Sequence, residues 1–151
     1  AWRLLVVGDG PERERLEALA SARRLAARVR WVGSLPATQL SEVWPDLDVL
    51  VVPSRNQHEW RESAGHALAE AMAHEVAVIG TDAGVTPEVI GDAGIVVPPE
   101  DPDALAAAIG RMADPAVQRP LAAAARARAL KAFSDDAVAE RTVEFWRRVV
   151  E

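Results

Sequence analysis

The amino-acid sequence predicts an α/β protein, a parallel sheet of about five strands with helices on both faces, followed by C-terminal helices. Three observations predict it. Short runs rich in Val, Leu and Ile recur along the chain, stretches of helical period separate them, and beyond the last run the pattern turns wholly helical. The strand-like runs are almost continuously apolar, as strands buried on both faces are. With 151 residues, half of them hydrophobic, the chain is long enough for one domain that buries about two thirds of its unfolded surface.

The first element is LLVVGDGPERERLEALA, residues 4–20. A strand at 3–7 runs into Gly8-Asp9-Gly10, Pro11 suits a first helical position, and Leu16, Leu19 and Ala20 repeat at helical spacing over a helix expected at 11–27. A dinucleotide fingerprint wants a third glycine three residues after the second. Arg13 stands there. The turn thus either binds phosphate without its full motif or only joins strand to helix, and a nucleotide would be held elsewhere.

Further strands are expected at 29–32, 48–52, 76–80 and 94–97, with helices at 39–44 and 65–74 and a short turn after Thr86-Pro87. Asp101-Pro102 and Asp114-Pro115 are N-cap and first-turn signals, and Ser134-Asp135-Asp136 caps a last helix carrying Val138, Val143, Phe145 and Trp146. The Ala/Arg stretch at 121–132 is a strong helix former and reads as a solvated helix face.

Charge and composition exclude several classes. A net charge of -6 and a pI near 5.1 argue against nucleic acid as a partner and against an anionic membrane surface. Without cysteine there are no disulfides, thiolate sites or cysteine nucleophiles. No apolar run is long enough for a membrane span and no signal peptide is evident, so a cytoplasmic protein is expected. His66 and His74 lie about 12 Å apart along a helix, too far to share an ion. No metal site is expected. A serine-hydrolase elbow and a Gly-Lys-Ser/Thr phosphate loop are both absent. Ala1-Trp2 leads into a strand at once, so a piece of a longer protein is expected.

Candidate chemistry gathers at ESAGHALAEAMAHEVAVIGTDAG, residues 62–84. Ser63 reads as an N-cap, and the N–H groups of Gly65 and His66 form a potential anion site at a helix start. Glu62 before that start and Glu70 on the helix would flank it, and carboxylates suit the paired hydroxyls of a ribose or hexose. On spacing alone, the pattern is better accounted for by Glu70 as a solvated helix residue and Glu62 as a loop charge.

At PSRNQHEWRESAGHALAEAMAHEVAVIGTDAGVTPEVIGDAGIVVPPEDPDALAAAI, residues 53–109, the chain resembles the C-terminal, donor-binding domain of glycosyltransferase family 4 (group 1), retaining enzymes built from two Rossmann-like domains in the GT-B architecture. VVGDGPERERLEALA and VRWVGSLP fall upstream in the family's order. The resemblance implies that Glu70 holds the ribose of a nucleotide-sugar donor and that Glu62, as the catalytic residue, faces the transferred sugar. It also implies that the backbone of Ser63, Ala64, Gly65 and His66 lies along the sugar and diphosphate, while Gly33, Ser34 and Leu35 border the base. Such enzymes are usually metal-independent, so no cofactor is expected beyond the donor substrate.

The family pattern carries an aromatic at the position of Ala64, an aliphatic at that of His66, a small residue with glycine where His74-Glu75 stands, and proline at Ala77. Its donor domain opens with a strand and a Gly-Arg/Lys stretch that this chain lacks. An order of 3-2-1-4-5-6 makes that strand central, so residues 3–7 are expected to pair directly with 48–52. An N-terminal acceptor domain is the expected partner, any peripheral membrane contact would run through it, and the chain alone is expected to be inactive. Two other readings remain open: a non-catalytic nucleotide-sugar-binding or scaffolding domain of the same fold, and half of a sugar-nucleotide epimerase.

Overall fold

A computed structural model describes residues 2–55 and 65–150 of the chain. The chain divides into two compact units, residues 1–43 and 44–151.

In the smaller unit β1 (Leu4–Val7) pairs in parallel with β2 (Val29–Gly33), Leu4 opposite Val29 and Val6 opposite Trp31, with a bulge before Val7. Helix α1 (Arg13–Ala22) joins them. It stops short of the expected 27 because Arg24 takes a left-handed φ of 57°, letting Leu25 N–H donate to Ala20 C=O at 2.8 Å and Arg24 N–H to Ser21 C=O at 2.9 Å. That pair of bonds ends a helix, here with arginine where glycine is usual. A short helix α2 (Ala37–Leu40) follows β2, ahead of the expected 39–44.

The larger unit holds the parallel sheet β3 (Val49–Val52), β4 (Ala77–Thr81) and β5 (Ile95–Val97), with β4 in the centre. Each residue of β4 is buried. On one face Ala77 and Ile79 pack with Ala108, Met112 and Ala122 of α5 (Pro102–Met112) and α6 (Pro115–Ala132). On the other, α4 (Thr86–Ile90) approaches β4 at Gly80, where a Cβ would come within 2.3 Å of Thr86 Cγ2. Side chains alternate along a strand, so helices cover both faces. Both expected caps form: the Asp101 carboxylate accepts from Ala104 N–H and that of Asp114 from Ala116 N–H, each at 2.9 Å. Ser134 caps α7 (Asp135–Val150), whose Val138, Val143, Phe145 and Trp146 are exposed.

Two expectations are corrected. The five strands form ladders of two and three, and the direct pairing of 3–7 with 48–52 is not among them. Every ladder pairs strands that are consecutive in the chain and joined by one helical crossover, whereas 3–7 with 48–52 would skip β2. Leu4 and Val7 of β1 are exposed and β3 is only half-buried. The stretch 121–132 is also more than a solvated face: Ala122, Ala125 and Ala129 are buried at helical spacing and carry α6 against α3 (His66–Ala73) and β4. Small side chains let those elements approach. Among the described residues no helix is long and apolar enough to cross a membrane.

Candidate functional site

Helix α3 is the natural place for a ligand because it follows β3 in a parallel β-α-β unit and so starts at the carboxyl end of the sheet. Its inner side is apolar, with Leu68, Ala71 and Met72 buried. Those residues leave His66 and Glu70, both exposed, on the outer side one turn apart, at the i, i+4 spacing that puts two side chains on one face. The helix begins one residue after Gly65, which takes the cap position with φ 60°. Ser63, expected there, lies outside the described residues, as do Glu62 and Ala64.

Gly65 is needed for a reason the sequence did not show. A Cβ there would meet Val89 Cγ2 at 2.8 Å and Val85 Cγ2 at 3.5 Å, in a conformation that side chains disfavour. The glycine lets the start of α3 turn tightly against α4. Ala69 N–H then donates to Gly65 C=O at 3.0 Å to close the first helical turn.

Two more features define this edge. Thr81 Oγ1, at the end of β4, donates to Ser54 C=O at 2.6 Å and holds the exit of β3 beside that of β4. Arg55, which sequence reasoning passed over, follows at once. Its Nε stands 3.6 Å from Glu100 Oε1, with both side chains mostly exposed. Such a pair contributes little to stability, so the guanidinium can exchange its partner readily.

The other sequence-chosen residues belong to the smaller unit. Gly33 closes β2 with φ 80°, its C=O accepting from Gly8 N–H at 2.8 Å. Ser34 is exposed and Leu35 half-buried. Arg13 was also missed, though its spacing of four residues from both Asp9 and Glu17 signals a paired cation. Its Nη1 donates to Asp9 Oδ2 at 3.0 Å and its Nε to Glu17 Oε1 at 2.8 Å. Glu17 first, then Asp9, raise its pKa above the usual arginine value.

Comparison with known proteins places this geometry. Residues 1–114 match the model of the family described as Glycosyl transferases group 1. A 2-deoxystreptamine N-acetyl-D-glucosaminyltransferase of Streptomyces fradiae is 37% identical over 148 residues, covering 96% of this chain and 34% of its own. Sucrose-phosphate synthase of Thermosynechococcus elongatus superposes with a TM-score of 0.81 at 34% identity, over 98% of this chain and 38% of its own. The C-terminal domain of a group 1 family glycosyl transferase from Francisella tularensis superposes at 0.77, with 24% identity over 89% of this chain and 71% of its own. The chain thus spans about a third of the length of the first two. It belongs to the group 1 glycosyl transferases, with the α/β fold of the C-terminal half of the GT-B enzymes among its relatives.

Proposed function

We propose that the chain is the donor-binding part of a retaining glycosyltransferase that moves a hexosyl group from a nucleotide-diphosphate sugar to an acceptor. The observation that carries this reading is the outer face of α3, where His66 and Glu70 stand one turn apart beside a helix start that Gly65 leaves without a side chain. In the reading, the Glu70 carboxylate accepts hydrogen bonds from the ribose hydroxyls. The backbone of Ser63, Ala64, Gly65 and His66 follows the sugar and diphosphate, and Glu62 faces the transferred sugar as the catalytic residue. For Gly33, Ser34 and Leu35 a place beside the base rests on the family resemblance.

During transfer the bond from the sugar's anomeric carbon to the diphosphate oxygen breaks, its electron pair leaving as negative charge on the diphosphate, while the acceptor oxygen bonds to that carbon and its hydroxyl proton passes to the departing diphosphate. Backbone N–H groups and the positive end of a helix stabilise such charge where it develops, commonly a large part of catalysis. The acceptor would be supplied by an N-terminal domain, through which any membrane contact would run, in a cytoplasmic enzyme. The reaction is proposed to need no metal, since His66 and His74 are too far apart to share an ion and the resembling family is usually metal-independent.

Two measurements test the reading on the full-length protein that carries these residues. Titration with nucleoside diphosphates should detect binding, and transfer from a nucleotide sugar should retain the anomeric configuration and persist in excess chelator. Inversion, or activity abolished by the chelator and restored by a divalent cation, would overturn the corresponding part of the proposal.

A further inference from the structure

The Gly8-Asp9-Gly10 turn lacks a dinucleotide fingerprint because Arg13 occupies the third glycine's place, and the side chain that breaks the motif is turned to an ordered use. Arg13 Nη1 lies 3.6 Å from where a Cβ of Gly33 would stand, and Asp9 Oδ2 lies 4.0 Å from it. The guanidinium therefore lies beside a strand end that carries no side chain. It is only a third exposed, and the carboxylates of Asp9 and Glu17 hold it from two sides. Gly10 N–H donates to Asp9 Oδ1 at 2.8 Å, which fixes the nearer carboxylate in turn. These bonds use Nε and Nη1. Nη2 has no partner among the described residues, so a planar donor group stands preorganised beside the bare backbone of Gly33.

We propose that Arg13, oriented by Asp9, selects the base of the donor nucleotide, favouring bases with a carbonyl at the pyrimidine 4- or purine 6-position, uracil and guanine, over those with an amino group there, cytosine and adenine. The inference rests on the reading that Gly33, Ser34 and Leu35 border the base. Its chemistry is that of donor and acceptor. Arginine has donors and no acceptor, so it completes hydrogen bonds to the uracil O4 or guanine O6 and meets only another donor at an amino group. A guanidinium plane also stacks on any base, which supports binding without adding discrimination. The carboxylates keep Arg13 from adapting to the wrong base.

The test is calorimetric titration of the full-length protein with UDP, GDP, ADP and CDP. ADP and CDP are expected to bind about tenfold more weakly than the better of UDP and GDP, as one base contact allows. Arg13→Met should close most of that gap, and Asp9→Asn, which loosens the guanidinium without removing it, should narrow it partway. Arg15→Met, which breaks a pair with Glu12 at the cap of the same helix, should leave it unchanged. A wild-type protein that binds all four alike, a gap that survives Arg13→Met, or an equal loss for all four in that variant would overturn the proposal. The donor reading fails separately. If no nucleotide binds, or if Glu70→Ala weakens none, both ideas fall, whereas four equal affinities that all drop with Glu70→Ala refute base selection alone.

Discussion

Residues 44–151 and residues 1–43 share one alternation of strand and helix but hold together differently. In the larger unit β4 is buried along its length and the inner side of α3 is sealed by Leu68, Ala71 and Met72. In the smaller, no described residue is fully buried, and Leu16 and Leu19 of α1 remain 37% and 44% exposed. Two strands and a helix cannot enclose much apolar area. The smaller unit relies on directional contacts instead: the Gly8–Gly33 bridge, Arg13 between two carboxylates, and Arg28 stacked 5.2 Å from the Trp2 ring. Where a core supplies the stability, polar side chains are left over for a ligand. Where it does not, the same charged groups serve as scaffold and as candidate contact surface.

The largest effect that breaks this comparison is loss of a core side chain. Leu68 is 1% exposed, so Leu68→Ala should cost about 2–5 kcal/mol through lost transfer energy and an unfilled cavity. Leu16→Ala removes a side chain already in water for more than a third of its surface and should cost about 0.5 kcal/mol. Urea denaturation of the two variants gives the contrast directly. Equal losses would mean that Leu16 is covered in the working protein, and the smaller unit would then have a core.

Next in size is the affinity carried by the outer face of α3. A hydrogen bond from a ribose hydroxyl to the Glu70 carboxylate is worth about 1.5–3 kcal/mol, so Glu70→Ala should weaken nucleotide binding by about 10- to 150-fold. Glu70 is exposed and faces away from the core, so the unfolding midpoint should barely move. A fall in stability as large as the fall in affinity would place Glu70 in the scaffold.

What the sequence made legible follows the same division. The strands and the caps at Asp101 and Asp114 follow from local period and short-range bonding, and the structure forms each of them. The register of distant strands is not local. Residues 3–7 and 48–52 each read as buried strands, yet the apolar pattern does not say that one of them leaves Leu4 and Val7 to solvent. The alanine stripe of α6 was obscured by the arginines between its members, which keep the helix polar on average while Ala122, Ala125 and Ala129 pack inward. Gly65 was legible as a special position, though for ligand approach; its contact with Val89 comes from an element some twenty residues onward.

The smallest effect compares the two units at an identical device. Each has a helix that ends on a non-glycine residue in the left-handed region, Arg24 at φ 57° after α1 and Glu75 at φ 61° after α3. The bonding matches as well: Leu25 N–H reaches Ala20 C=O and Val76 N–H reaches Ala71 C=O, five residues back in both cases. Glycine would relieve about 1 kcal/mol of strain at either site, less the flexibility it adds to the unfolded chain. The sites differ in what the side chain does. Glu75 pairs with Arg126 at 3.2 Å, with about half of each side chain exposed, and such a contact is worth about 0–1 kcal/mol. Among the described residues Arg24 forms no ion pair. Arg24→Gly should therefore show the full relief and Glu75→Gly only part of it. Because the smaller unit has no sealed core, its gain should register as slower hydrogen exchange at the last amides of α1, whereas Glu75→Gly should raise the global unfolding midpoint slightly or leave it unchanged. If Glu75→Gly instead lowers stability by more than about 1 kcal/mol, the Arg126 contact outweighs the backbone strain, and surface charge pairs matter in the larger unit as they do in the smaller.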